Sequence, residues 1–328
     1  MHRAYCLISP CRNEARFLRR TLDSVLSQSE LPQKWIIIDD GSTDETGEIL
    51  RDYAARFPLI QVVSRPDRGA RAVGGGVIEA FNSGLKQIDL DDFDYICKLD
   101  MDLDLPPTYF ASLMDRMEAQ PTLGTCSGKA YYPGPDNVDK SFAGTLISEG
   151  IGDDMSVGAA KFYRVKCFRE IGGFIQQVMW DGIDCHRCRM NGWGAVSWDD
   201  PELRFIHLRP MGSSQQGILT GRMRHGFGQY FMGTSLLYMT LSAVFRMSHR
   251  PLVIGGAAMW WGYVRSWLKG LDRYQNLEFR RFLRRYHWLC LTRGKKRAVE
   301  LVQAQARAFV ATQVKAPKAK RDVLVRSE

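Results

Sequence analysis

Between Cys97 and Phe110 the chain reads CKLDMDLDLPPTYF, with Asp100, Asp102 and Asp104 alternating with Met101 and Leu103. Carboxylates this close repel one another and resist burial unless a cation sits among them. A divalent ion is the natural counter-charge. An EF-hand calcium loop opens with the same Asp-x-Asp-x-Asp, but it requires Gly at its sixth position and a bidentate Glu at its twelfth. Leu105 and Ala111 stand at those positions, which excludes it. Two further acids, Asp39 and Asp40, close the run KWIIIDD, and Arg12 and Asn13 follow the apolar AYCLIS. Cys185 and Cys188 have the spacing of half a zinc site. No second CxxC or HxxxH accompanies them, so they read as side chains on the flank of a helix.

The apolar pattern shows what positions these residues. AYCLIS (4–9) is short and apolar, and KWIIIDD (34–40) is a continuous apolar run, as in a parallel strand buried on both faces. Between them EARFLRRTLDSVLSQ (14–28) places Phe17, Leu18, Leu22, Val25 and Leu26 at helical spacing. In DDGSTDETGEILRDYAARF, Gly41 permits a turn, Ser42 or Thr43 offers a cap, and a helix runs to about Phe57. LIQVVS is a third strand, followed by the loop RPDRGARAVGGG, the helix IEAFNSGLKQ and the strand FDYICKL. This alternation predicts an α/β fold with a Rossmann-like, mostly parallel sheet and helices on both faces. Ligands of such sheets sit at the carboxyl ends of strands. Arg12, Asn13, Asp39, Asp40 and Asp100 to Asp104 all fall there. Beyond residue 105, the less regular strands GTCSGKAYY and AAKFYRV, a helix near 181–192 and the strand LRFIHL complete a mixed second half.

A chain of 328 residues, 45% hydrophobic and 25% charged, can hold one large α/β domain plus an appendage. Its net charge of +9 is uneven, because residues 265–328 carry 17 Lys/Arg against 5 Asp/Glu. A basic C-terminal segment points to an anionic surface. No RRM or helix-turn-helix signature supports nucleic acid as that partner. The segments 225–245 and 251–264 contain no Asp, Glu, Lys or Arg. They are too polar or too short to span a bilayer. With Trp260, Trp261 and Trp267 beside basic residues, they read as helices at a membrane interface, or else as a buried helical hairpin. Only a short apolar run precedes Arg12, too short for a signal peptide, and eight cysteines without such a signal read as reduced thiols. The expected location is therefore cytoplasmic, at the inner face of the cell membrane. The expected division is 1–224 for the α/β domain, 225–292 for the helical membrane-interface region and 293–328 for a basic tail.

ISPCRNEARFLRRTLDSVLSQ, IIIDDGSTDET, KLDMDLDLPPTYF and GGFIQQVMWDGIDCHRCRMNGW, in this order and spacing, resemble the family 2 inverting glycosyltransferases of the GT-A fold. The resemblance covers about residues 4–210. It implies transfer of one sugar from a nucleotide-diphosphate sugar to a hydroxyl of a lipid-linked or surface-glycan acceptor. It also implies Mg²⁺ or Mn²⁺ on Asp100 and Asp102, with Pro106 four residues beyond as in the family. Such an ion clamps the donor diphosphate and stabilises the charge of the leaving group. Asp104 is then an extra acid solvated at the turn. Asp40, and after it Asp39, match the base-binding site, where a carboxylate and backbone amides can read a uracil or guanine edge. Asn13 and Glu14 match the family's Asn-Glu near the ribose, and Arg68 and Arg71 fall where relatives carry a basic residue near the diphosphate.

For the base that takes the acceptor's proton, Trp180-Asp181 stands where relatives have Glu-Asp. Arg187 lies six residues on and Gly192 five beyond that, so Asp181 inherits the role. Asp184 is the alternative base, or the ion-pair partner of Arg187 or Arg189. Gly172-Gly173-Phe174 matches the acceptor-side turn, His207 the third metal ligand, and Arg209, Arg222 and Arg224 a loop over the diphosphate. The QxxRW motif and spanning helices of processive synthases are absent. A nucleotidylyltransferase would carry a Gly-rich segment that ISPCRNEARFLRR lacks. A non-catalytic membrane scaffold on this fold would have lost Asp100, Asp102 or Asp181, and all three are present.

Overall fold

The computed structural model describes residues 3–69, 74–209, 218–248 and 251–315. Arg71 lies outside them. At the centre are β1 (Tyr5–Cys11), β2 (Lys34–Asp39), β3 (Ile60–Ser64) and β4 (Tyr95–Leu99), joined by α1 (Ala15–Leu26), α2 (Thr46–Arg56) and α3 (Gly75–Leu85). Successive strand side chains point to opposite faces. Tyr5, Leu7, Trp35 and Ile37 accordingly pack with Leu18 and Leu22 of α1 and Leu50 of α2. Cys6, Ile8, Ile36 and Ile38 pack with Ile78 and Phe81 of α3 on the other face. Both sets are buried, and each large apolar side chain contributes about 1.5–3 kcal/mol. That double burial is why these segments read as unbroken apolar runs.

The chain continues through β5 (Leu103–Asp104), α4 (Tyr109–Ala119), β6 (Leu123–Gly128), β7 (Ala130–Pro133) and β8 (Leu146–Ser148). Then come β9 (Ala160–Arg164), α5 (Val165–Glu170), α6 (Trp180–Met190), β10 (Gly194–Trp198) and β11 (Phe205–His207). The large sheet has the order β10-β6-β9-β4-β1-β2-β3. Only β9 runs antiparallel to its neighbours. The mostly parallel sheet with helices on both faces is therefore as the sequence predicts, with one inverted strand.

A second sheet, β5-β11-β7-β8, has strands too short to leave a periodic signal in the sequence. It corrects the expectation for Asp104. Leu103 and Asp104 pair with His207 and Ile206, so this acid belongs to a strand and not to a solvated turn. Its carboxylate is 14% exposed and meets Arg20 at 2.7 Å. Burial raises its pKa against the pull of that guanidinium.

Among the described residues five helices follow: α7 (Ile218–Met232), α8 (Leu236–Met247), α9 (Ile254–Leu268), α10 (Leu277–Arg293) and α11 (Lys295–Lys315). The boundary expected at 224/225 falls within α7, and α11 fills much of the stretch read as a basic tail. Ile183 of α6 is buried against Phe279, Leu283 and Tyr286 of α10 and Ala298 and Val302 of α11. Asp154, in the loop before β9, adds polar ties to the same helices, receiving Lys295 at 2.6 Å and the Tyr286 hydroxyl at 3.2 Å. No described helix is long and apolar enough to cross a membrane.

The backbones of α7 and α9 touch through glycine. A Cβ on Gly226 would overlap the Met259 carbonyl, and one on Gly262 would overlap that of Met223. Gly262→Ala should therefore part the two helices and cost about 1–3 kcal/mol, the usual penalty of overpacking. A lower thermal midpoint and faster proteolysis beyond residue 218 are the expected readouts; an unchanged melt would contradict the close approach.

Candidate active site

The ends of β1 and β2 form one rim. Asp39 Oδ1 accepts from the Ser42 amide at 2.9 Å and closes the turn that contains Gly41. Gly41 takes a φ of 73°, and a Cβ there would overlap the Asp67 backbone. Only glycine lets the loop after β3 lie on this turn. Asn13 also has a left-handed φ, 52°, which Asn tolerates better than most residues. Its side chain accepts from the Thr43 amide at 2.8 Å, and its own amide donates to Ser42 Oγ at 3.0 Å. Asp40 Oδ1 meets Arg65 at 3.0 Å and Arg68 at 2.7 Å. Arg12 donates to the Asp40 carbonyl at 2.5 Å and pairs with Asp67 at 2.6 Å. Asn13, Asp39, Asp40 and Arg68 are thus brought together.

The second group lies after β4. Asp102 is almost fully buried, and its Oδ2 is 2.6 Å from Arg209 Nε and 3.4 Å from His207 Nε2. The other imidazole nitrogen is 3.2 Å from Glu149 Oε1. Burial alone would depress the His207 pKa, but the two carboxylates outweigh it and push it up to about 10. Arg209 also pairs with Glu14, whose amide donates to Thr46 Oγ1 at 2.8 Å. Glu14 and Asp102 therefore converge on Arg209, which joins the β1 rim to the β4 rim, and His207 shares Asp102 with it. Arg222 and Arg224 lie on α7. Asp100, 32% exposed, pairs with Lys98, whose ammonium also donates to the Gly158 carbonyl at 3.0 Å.

Two carboxylates and an imidazole are donors that Mg²⁺ or Mn²⁺ accepts, so Asp100, Asp102 and His207 fit such an ion chemically. In this structure cationic side chains hold the balancing charge, Lys98 on Asp100, and Arg209 with His207 on Asp102. Among the described residues no group of three His, Cys, Asp or Glu is arranged to hold a metal.

Asp181 lies in the first turn of α6. Its carboxylate lies against Gly158, where a Cβ would come within 3.0 Å of Oδ2. Gly158 thus binds Lys98, the partner of Asp100, through its carbonyl and makes room for Asp181, so Asp100 and Asp181 are linked through one residue. Asp184 is fully buried, with Lys161 Nζ at 2.5 Å and the Tyr163 hydroxyl on its other oxygen. Its partner is Lys161, not the expected Arg187 or Arg189. Arg187 donates instead to the Gly173 carbonyl at 3.1 Å, pinning a turn in which Gly172 and Gly173 both have φ of 69°. Gly192, at φ 80°, ends α6. The spacing from Asp181 through Arg187 to Gly192 therefore has a local meaning: one helix, its anchor and its stop. Arg189 is buried and donates to the Asp154 carbonyl. Cys185 faces Ser156 and Lys161, and Cys188 Sγ lies 3.5 Å from Cys167 Sγ.

Sequence reasoning misses Lys98 and Lys161. They stand opposite each other on β4 and β9, both buried, with their ammonium groups 5.2 and 5.5 Å from the Trp180 ring centre. Desolvation pulls the Lys161 pKa down, but Asp184 outweighs it and the net shift is upward, so the lysine stays charged. A lone lysine inside each apolar run, FDYICKL and AAKFYRV, is the signal that could have found them.

The sequence profile of glycosyl transferase family 2 matches residues 6–172, half of the chain. Asp181 and His207 lie beyond that match. Poly-β-1,6-N-acetyl-D-glucosamine synthase from Staphylococcus epidermidis is 30% identical over 118 residues, which is 36% of this chain and 26% of that protein. A chondroitin synthase from Escherichia coli is 26% identical over 142 residues, 43% of this chain and 18% of its own. The chain thus spans only a small part of each relative's length. Among solved structures, mannosyltransferase PcManGT from Pyrobaculum calidifontis, in complex with GDP-Man and Mn²⁺, superposes with a TM-score of 0.51 at 16% identity, covering 99% of this chain and 80% of its own. GalNAc-T7 with UDP, GalNAc and Mn²⁺ gives 0.53 at 12% identity, covering 88% and 57%. At such identities the likeness is one of fold, the GT-A fold. With that fold and a profile match that runs from β1 through α5, this protein belongs to glycosyl transferase family 2.

Proposed function

We propose that the chain is an inverting, metal-dependent glycosyltransferase. It moves one sugar from a nucleotide-diphosphate sugar to a hydroxyl of a lipid-linked or surface-glycan precursor at the cytoplasmic face of the membrane. The observation that carries this reading is that Gly158 lies against the Asp181 carboxylate and, through its carbonyl, holds Lys98, the partner of Asp100. A donor between them would have its diphosphate on the Asp100 side and its reactive carbon toward Asp181.

In this reading Asn13, Asp39 and Asp40 hold the nucleoside, with Glu14 near the ribose and Arg68 and Arg71 beside the diphosphate. Asp100, Asp102 and His207 would hold Mg²⁺ or Mn²⁺, which when bound offsets the diphosphate charge and stabilises the leaving group. Arg209 supplies a guanidinium for phosphate oxygens at the same edge. Asp181 accepts the proton of the acceptor hydroxyl while that oxygen attacks the anomeric carbon from the face opposite the diphosphate. One C–O bond forms, the bond to the diphosphate breaks, and the proton ends on Asp181. Burial of Asp184 and its pair with Lys161 support Asp181 as the base. Family membership disfavours a nucleotidylyltransferase, and the presence of Asp100, Asp102 and Asp181 disfavours a scaffold.

A thermal-shift panel of nucleotide sugars with and without Mn²⁺ tests donor binding. The parent should be stabilised only with metal, and Asp100→Asn combined with Asp102→Asn should abolish the effect. Full stabilisation of that double variant would overturn the assignment. Asp104→Asn should leave the metal-dependent shift in place, since that carboxylate serves Arg20.

Asp181→Asn keeps the shape but cannot take a full proton. Transfer should fall by about 10²- to 10⁴-fold with donor affinity nearly unchanged. Asp184→Asn should instead lose about 3–5 kcal/mol of stability, because it strands the buried Lys161. A stable, inactive Asp184→Asn beside an active Asp181→Asn would move the base to Asp184.

A further inference from the structure

The outer surface of α8 is apolar as well as its inner one. Met239 and Ala243 are buried with Met259 and Tyr263 of α9, as a packed helix requires. On the other side Leu236, Leu237, Leu241, Val244 and Phe245 are exposed. Leu237, Leu241 and Phe245 recur at four-residue intervals, with Leu236 and Val244 beside them, and so form one stripe. The segment after α8 and α9 itself continue it, exposing Leu252, Ile254, Trp260, Trp261, Trp267 and Leu268. Folded monomers rarely leave so continuous an apolar surface in water.

We infer that this face docks on an anionic lipid bilayer, with α8 and α9 lying in the plane of its interface. Three observations select that occupant. Residues 218–297 carry 15 Lys/Arg against 2 Asp/Glu. A second copy of the chain would bring the same charge against this one, whereas acidic headgroups neutralise it. Three of the exposed side chains are tryptophans, with Arg265 and Lys269 exposed between and beside them on α9 and its C-terminal end; this is the pairing of ring and cation that settles at headgroup depth. The helices are also short. Twelve and 15 residues reach about 18 and 22 Å at 1.5 Å per residue, well under the roughly 30 Å of a hydrocarbon core. Helices of that length with one apolar face lie on the membrane without crossing it.

The docked face is mechanically joined to the candidate base. α7 packs against α9 at Gly226 and Gly262, and a Cβ on Gly228 of α7 would overlap Met179, the left-handed residue just before Trp180-Asp181. The inference rests on the reading of the acceptor as membrane-held, and it gives that acceptor a direction of approach, from the side of α6 that α7 covers.

The test uses the full chain and vesicles of phosphatidylcholine with or without phosphatidylglycerol. The parent should co-sediment with the anionic vesicles at least ten times more than with the neutral ones, and should lose that binding at high salt. Leu241→Asp combined with Phe245→Asp should abolish it while the Mn²⁺-dependent donor shift stays as in the parent. Should that variant fail to fold, brominated phosphatidylglycerol read by the parent's tryptophan fluorescence replaces it; strong quenching is expected. Equal sedimentation with both vesicle types, absence of quenching, or a dimer by light scattering that the double substitution dissolves would each overturn the inference. Absence of any donor shift in the parent would count against the transferase reading alone, since vesicle binding is scored without donor.

Discussion

Two lysines face each other across β4 and β9 inside the protein, and the site is built around holding them apart. Like charges directly opposite on paired strands destabilise a sheet, and each buried ammonium alone would carry a large desolvation cost. The arrangement is tolerable because each cation has its own acid. Lys98 turns to Asp100 at the edge of the sheet, and Lys161 turns to Asp184 on α6. Trp180 offers its ring to both. The inverted strand β9 is what puts Lys161 beneath α6, so the one departure from a parallel sheet also fixes the helix that begins with Trp180-Asp181. Asp184 is taken up by this duty, and Asp181, one turn earlier, is left toward Gly158.

The rest of the rim follows the same rule of paired opposites. Asp40 lies among Arg65 and Arg68, Asp102 against Arg209, and Glu14 against Arg209 from the other side. A site assembled from carboxylates at several strand ends would repel itself apart without such partners. The partners come from distant segments, so the rim is a crossing point for much of the chain. An ion bound at this rim would exchange with charges already in place, which needs less reorganisation than opening an uncompensated cluster of acids would.

The sheet was legible because burial on both faces leaves unbroken apolar runs, as in KWIIIDD, and because chemistry gathers at the carboxyl ends of such strands. Asp39, Asp40, Asp100 and Asp102 could be placed on that basis. The errors concern partners. Asp104 meets Arg20 and Asp184 meets Lys161, contacts between segments far apart in sequence that no local spacing announces. β5 and β11 are too short for any pattern to show, yet they decide that Asp104 sits in a sheet. Arg187 was readable in position but not in duty, since its bond is to the backbone of Gly173, a contact made by the fold of that turn.

The docking of α10 and α11 on α6 has a consequence for the order in which the protein can be completed. Ile183 shares its cluster with Met232 of α7, but most of the buried side chains in it come from Phe279 onward, and the Tyr286 hydroxyl reaches back across 132 positions to Asp154. Contacts of such long sequence separation form late, after the loops they close have been restrained by other structure. During synthesis the β1–β4 half has left the ribosome long before these helices exist. The flank of α6 that carries Ile183 stays incompletely covered until α10 and α11 have been made. The rim at the ends of β1 and β2 is thus the early-maturing part of the molecule, and the surroundings of α6 wait for α10 and α11.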